Sequence, residues 1–328
     1  MTLRLTWIVL AEIISKWNEH KVIRLGAALA YFGIFAMAPV LMIAIAIAGL
    51  VYGRAATEGN IVRAISGVVG SSTALFVQEM VESASQPRAG IIAAVVGVAG
   101  IFLGSVGYFF QLKDALNTVW EVVPKPGYRP MDMLRKNALS FVMVLGLGFL
   151  LLASLLLTAG LGAADTLVGR FVPGSETVWQ LADFSLSFGL VTQLIACNFK
   201  ILPDVYIPRR DVRPGAILTA LLFTAAQVAL SVIIRLANPG LAFGAAGALF
   251  VILVWFDLAS LILLTGAEFI RVYSMRFGSR AKPKAYAEAL TTEARAVQGI
   301  PRKDPTTTIA RDHTGARAFT SPMTRGQK

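Results

Sequence analysis

The stretch LILLTGAEFIRVYS, residues 261–274, is apolar enough to lie in a lipid bilayer, yet it carries Glu268. Eleven residues earlier, in VWFDLAS, the same apolar run already contains Asp257. Whether these carboxylates are tolerable depends on the solvent around the helix, and composition decides that first. Hydrophobic residues make up 56% of the 328-residue chain and charged residues 15%, against roughly 25% charged in ordinary soluble domains. The apolar residues come in blocks of about twenty, the length at which a helix crosses a hydrocarbon core roughly 30 Å thick. The fold class expected is an all-α, polytopic membrane protein with six transmembrane helices and an N-terminal amphipathic interfacial helix.

Six spanning segments are expected at about 27–51, 90–110, 138–161, 178–199, 214–236 and 246–270. The first contains Pro39, which removes a backbone donor and kinks a helix. Ahead of them, residues 1–26 form a cytoplasmic amphipathic segment. Leu3, Trp7, Leu10, Ile14 and Trp17 fall on one helical face, a pattern that suits a helix lying in the membrane interface. Packing on its own protein is the competing arrangement. The run "LTWIVLAEII" is interrupted by Glu12 and lacks a small-residue cleavage site, unlike a signal peptide.

Orientation follows from the basic residues outside the spans. With the N-terminus cytoplasmic, 25 of the 30 Lys and Arg fall inside and all ten lysines are among them. Both ends are therefore expected in the cytoplasm of a bacterial cell, in its inner membrane. Residues 273–328 read as a basic tail without regular structure, drawn to anionic lipid headgroups. Residues 53–89 read as an outer connection with short amphipathic helices. Few aromatics accompany the basic residues of the tail, so no nucleic acid is expected as partner. One cysteine, Cys197, excludes an internal disulfide, and the two histidines, His20 and His313, lie near opposite ends. No metal or cofactor site can be built from such an inventory by local spacing.

Polar residues inside the spans are costly and mark function or buried hydrogen bonds. Thr224, Gln227, Ser231 and Arg235 form a stripe on the fifth span, and Gln180, Asp183 and Ser187 one on the fourth. Asp183 and Arg235 lie at similar depth and can pair, either around an outward-open polar cavity or as a buried structural pair. Asp257, near the midplane, is a cavity-lining candidate set against a buried hydrogen bond to the fifth helix. Glu268, about 16 Å further along the axis, sits at the cytoplasmic edge. There water or a loop Lys or Arg is the expected partner, and anchoring the expected role. Gly97, Gly100, Gly104 and Gly107 share a face of the second span and permit close packing.

Four stretches together resemble the YihY/BrkB family of bacterial inner-membrane proteins: AALAYFGIFAMAPVL at 27–41, QLKDALNTVWEV at 111–122, KILPDVYIPRRDVRPGA at 200–216 and LVWFDLASLILLTGAEF at 253–269. Tyr31, Pro39, Asn117, Trp120, Pro203, Gly215, Gly266, Ala267 and Glu268 match the family pattern in order and spacing, whereas Asp257 stands where that pattern carries an aromatic. The resemblance implies a six-helix inner-membrane protein without a settled activity. Some relatives carry a ribonuclease label, which the dispersed carboxylates and outlying histidines argue against. The function expected is translocation of a lipid or amphipathic small molecule, without enzymatic activity. The alternative is a non-transporting scaffold of an envelope complex. Partners expected are membrane lipids, with a homo-oligomer or an envelope protein as further candidates.

Overall fold

The computed structural model describes residues 2–36, 91–125, 176–237, 239–291 and 295. The third expected span, the 53–89 connection, Pro39 and most of the tail lie outside the described residues, as do the side chains of Asp183 and Arg235. The chain divides into Met1–Ala289 and Leu290–Lys328, and the account below concerns the first unit.

Helix α1 (Thr2–Glu19) ends at a turn in which Lys21 adopts a left-handed φ of 53°, and α2 (Val22–Ala36) follows at once. Helix α3 spans Ile91–Trp120, α4 Glu176–Ile201, α5 Arg209–Ala237 and α6 Pro239–Arg276. Three stretches, Phe184–Ile201, Arg209–Ile233 and Leu249–Arg276, are long and apolar enough to cross a membrane. The described residues are mostly helical.

α6 is the axis of the described bundle, touching α1, α3 and α5, while α5 also packs on α4. Its contacts explain the small residues of its neighbours. A Cβ at Gly26 of α2 would come within 2.8 Å of Leu261 of α6; away from α6, one at Gly107 of α3 would come within 2.7 Å of Phe32 of α2. A Cβ at Gly215 would collide with Ile270, and one at Gly266 with the Thr219 hydroxyl, which donates to the Gly215 carbonyl at 2.7 Å. The α5–α6 seam thus closes because glycine faces a branched side chain on each helix. Outside the seam, Leu221, Val228, Val232 and Leu236 of α5 and Leu181 and Phe184 of α4 are exposed, as expected of surfaces meeting lipid tails.

At the basic end of the bundle α3 continues past the second expected segment through Trp120 and buries Leu112, Leu116 and Val119. The tail is not without regular structure from residue 273 on. α6 runs to Arg276, β3 (Lys282–Pro283) pairs with β2 (Val205–Tyr206), and β4 (Ala287–Ala289) pairs antiparallel with β1 (Val122–Pro124). Segment 282–289 is thus a strap across the ends of α3 and α4. Its backbone has partners at two loops that are far away in sequence, which composition alone does not reveal.

Gly215→Ala is expected to lower the stability of the detergent-solubilised protein by about 1–3 kcal/mol, the range for overpacking a closed seam. Gly189→Ala, at a position with nothing within 4 Å, should leave it unchanged or raise it by up to ~1 kcal/mol. Thermal unfolding of the two variants side by side checks the seam.

Candidate functional site

Three buried polar clusters sit at the end of the bundle where α1, α3, α4 and α6 finish and α5 begins. The first is built on Glu268, whose side chain is fully buried. Its Oε1 pairs with His20 Nδ1 in a short contact, and its Oε2 has no hydrogen-bond partner among the described residues. His20 Nε2 lies 3.3 Å from Glu121 Oε1 and 3.2 Å from Arg271 Nη1. Arg271 Nη2 is 2.8 Å from the same Glu121 oxygen. Lys16 Nζ reaches Glu121 at 3.3 Å and Glu19 at 2.5 Å. Trp17 Nε1 adds a bond of 3.1 Å to Thr265 one turn along α6.

Local sequence places each of these groups. Lys16, Glu19 and His20 sit about one turn apart where α1 ends, which brings them to one side; His20 faces α6, and Lys16 reaches the end of α3. Glu268 and Arg271 are three residues apart on α6 and share that face. Glu121 follows the last turn of α3 with φ 51°, a left-handed conformation that costs a non-glycine residue roughly 1–2 kcal/mol. That conformation aims its carboxylate at two cations and an imidazole, and the ion pairs offset the strain.

The electrostatics follow. Burial alone would push Glu121 up, but the hydrogen bond from His20 and the charges of Arg271 and Lys16 outweigh it and hold the carboxyl far below its usual range. Burial alone would likewise push His20 down, but its bonds to Glu121 and Glu268 prevail and raise it above 6.5. Glu19 is desolvated as well, and Lys16 beside it brings it below 4.5.

The second cluster surrounds Asp204, at the bend after α4. Asn117 of α3 donates to Asp204 Oδ2 at 3.0 Å and accepts from the Asp204 amide at 2.8 Å. Lys113 lies 3.0 Å from Oδ1, and Tyr286 of the strap donates to the same oxygen at 2.9 Å. Lys284 closes the strap through its amide on the Asp204 carbonyl, at 2.9 Å, and its ammonium on the Ile201 carbonyl, at 3.2 Å. In the third cluster, Asp211 of α5 accepts from Ser274 Oγ, the Ser279 amide and Ser279 Oγ at 3.0, 2.9 and 2.7 Å. It thereby ties the last turn of α6 and the residues just after it to the start of α5.

The candidates read from sequence separate into two groups. Asn117, Trp120, Pro203, Gly215, Gly266 and Glu268 all gather at this end, in the clusters or in the seam leading to them. Tyr31 is exposed on α2. Glu268 is corrected in its surroundings: its partner is a buried histidine, not water or a loop cation. In the other group, Ser231 donates to the carbonyl of Val228 at 2.8 Å, and Thr224, from the same stripe, to that of Ala220 at 2.9 Å. Gln227 is half-buried. Asp257 is half-buried and faces Gly26 of α2, with its Oδ1 buried and without a hydrogen-bond partner among the described residues.

His20, Glu121, Lys16, Lys113 and Asp204 were not singled out by sequence reasoning. Apart from the Lys16–Glu19 pair, their side-chain partners are 82 to 251 residues away, and no local spacing encodes that. Glu19, His20 and Glu121 offer ligand atoms within 4.8 Å of one another, as a metal site requires. The ammonium of Lys16 and the guanidinium of Arg271 already occupy the carboxylate faces, so the donor set fits an ion-pair network rather than a metal.

These features define a helical membrane protein whose helix ends are tied by buried charge. The family model for Virulence factor BrkB matches residues 13–291, and the chain belongs to that family. A UPF0761 membrane protein of Alcanivorax borkumensis is 25% identical over 79% of this chain and 58% of its own length. An uncharacterized protein of Dickeya dadantii is 25% identical over 72% of this chain and 73% of its own. A UPF0761 membrane protein of Pseudomonas aeruginosa is 28% identical over 53% of this chain and 41% of its own. The chain thus spans little more than half the length of the Alcanivorax relative. No solved structure matches it.

The first cluster gives a pH dependence with two limbs. Glu121 contributes stability above about pH 4.5 that is lost only as pH falls through its depressed folded value. The contribution of His20 is complete below about pH 6.5 and is lost as pH rises through its raised folded value. Thermal unfolding should therefore show the cluster's full contribution between about pH 4.5 and 6.5. His20→Gln should remove the alkaline limb and leave the acid one.

Proposed function

We propose that this chain moves a lipid or amphipathic small molecule across, or between the leaflets of, the bacterial inner membrane, as a six-span protein with both ends in the cytoplasm. The carrying observation is Asp257. It lies partway along a helix able to cross the membrane, with a buried, unpartnered oxygen against a glycine of α2. A carboxylate at that depth costs about 2.5–3.5 kcal/mol on insertion scales and marks a polar path through the bundle. Gly26 and Gly33 let α2 approach α6 closely beside Asp257, with Leu261 and Phe256 filling the space that a Cβ would take.

The proposed orientation draws support from how the helix ends assemble. Lys16, Lys21, Arg24, Lys113, Lys125, Lys200, Arg209 and Arg271 belong to segments that meet at one end of the bundle, as positive-inside insertion requires. At that end α1 would lie along the membrane surface. Trp7, Leu10 and Ile14 are exposed on one side of it, while Ile13 is buried and Trp17 is bonded to α6. Membrane lipids are then the direct partners, with anionic headgroups at the tail. The reading assigns no catalytic step, no nucleic acid, and leaves a homo-oligomer or an envelope protein as further partners.

The test is reconstitution into liposomes carrying a dithionite-sensitive phospholipid label. Protein-dependent quenching beyond half of the signal, slowed at least tenfold by Asp257→Asn, is the expected result. Quenching that stops at the outer leaflet for the wild-type protein removes lipid translocation and favours a scaffold of an envelope complex.

A further inference from the structure

The geometry around His20 holds two incompatible hydrogen bonds at one nitrogen. Arg271 Nη1, at 3.2 Å from Nε2, can only donate and therefore needs a lone pair there. Glu121 Oε1, at 3.3 Å from the same Nε2, can only accept when ionised and therefore needs a proton there. Nδ1 is committed to Glu268 Oε1 in either case. The heavy atoms thus accommodate a neutral and a charged imidazole without rearrangement.

We propose that His20 is a proton-binding site with these two prepared states, and that its occupancy sets how firmly α1 and the end of α3 are held to α6. In the neutral state, Nδ1–H donates to Glu268 and Nε2 accepts from Arg271. In the protonated state, Nε2–H donates to Glu121 and Arg271 is left with Glu121 alone. The inference does not depend on lipid translocation.

Charge balance supports the proton as the ligand. Among the described residues, the groups facing His20 are Lys16 and Glu19 from α1, Glu121 from the end of α3, and Glu268 and Arg271 from α6. With their carboxylates ionised they sum to one net negative charge, which a single proton on His20 neutralises. A divalent cation would overshoot, and would first have to displace Lys16 and Arg271 from Glu121. The imidazole is fully buried, so its charge is weighed against these five groups rather than against bulk water. The resulting elevation of its proton affinity is what such a balance requires. Because His20 occupies the turn between α1 and α2, and Glu121 the turn after α3, losing the proton loosens two chain segments at once.

The test uses the full-length protein in nanodiscs with His313→Ala, which leaves one histidine and removes none of the groups named above. Imidazole carbon shifts are followed from pH 5 to 9 by NMR, with amide hydrogen exchange over residues 2–19. The expected midpoint lies above 6.5. Glu121→Gln should lower it by a pH unit or more, a tenfold fall in proton affinity, and Arg271→Gln should raise it. These opposite signs separate a specific site from general loosening, which would bring both variants toward 6.5. Exchange in α1 should quicken above the midpoint by more than the intrinsic effect of pH. Should Glu121→Gln fail to fold, Glu268→Gln carries the same downward expectation. A midpoint at or below 6.5, a midpoint moved by neither variant, or protection of α1 indifferent to it overturns the proposal. Stoichiometric zinc that abolishes the titration overturns it in favour of a metal site.

Discussion

Four carboxylates, Glu121, Asp204, Asp211 and Glu268, are buried at one end of an apolar bundle, and a buried charge without a partner is among the most destabilising features a fold can contain. The rest of the described structure follows from satisfying them. Glu268 needs a donor, and His20 at the end of α1 supplies it, which fixes α1 against α6. Glu121 needs cations, and Lys16 and Arg271 supply them, which fixes the exit of α3. Asp204 draws in Lys113, Asn117 and the strap at 284–286, and Asp211 ties the last turn of α6 to the start of α5. Helices whose sides are uniformly apolar have little to fix their register in lipid. The polar ends fix it here.

The helices were legible in the sequence because long apolar blocks have few alternatives, and α4, α5 and α6 cover the fourth, fifth and sixth expected segments. The Gly215 and Gly266 positions were legible as motif residues, but their reason, a branched side chain on the facing helix, is not. What sequence could not supply is partnership. Glu268 was expected to meet water or a loop cation because its place at the end of a span suggests an edge. The preceding turn of α1 covers that edge, and His20 lies 248 residues away. Thr224 and Ser231 belong to the polar stripe of the fifth expected segment, and each hydroxyl bonds a carbonyl one turn back, as mid-helix hydroxyls do. The strap at 282–289 carries no apolar periodicity of its own. Its order comes from β1, β2 and the Asp204 cluster, all remote in the chain.

Two kinds of polar group therefore coexist along α6. At its end, Glu268 and Arg271 belong to a network of salt bridges that hold the protein together. About three turns away, Asp257 has an oxygen with no hydrogen-bond partner among the described residues and a glycine for a neighbour. The first kind stabilises, while the second costs stability unless something polar passes by.

The salt bridge Glu121–Arg271 is expected to lock α3 to α6 energetically, beyond mere adjacency. A double-mutant cycle on thermal or denaturant stability, with Glu121→Gln, Arg271→Gln and the double variant at pH 6, tests it most directly. A coupling of about 1–3 kcal/mol, within the range for residues in one salt-bridge network, is the result the account expects. Additive effects, with coupling below about 0.5 kcal/mol, would contradict it and leave the bundle held by its apolar seam alone.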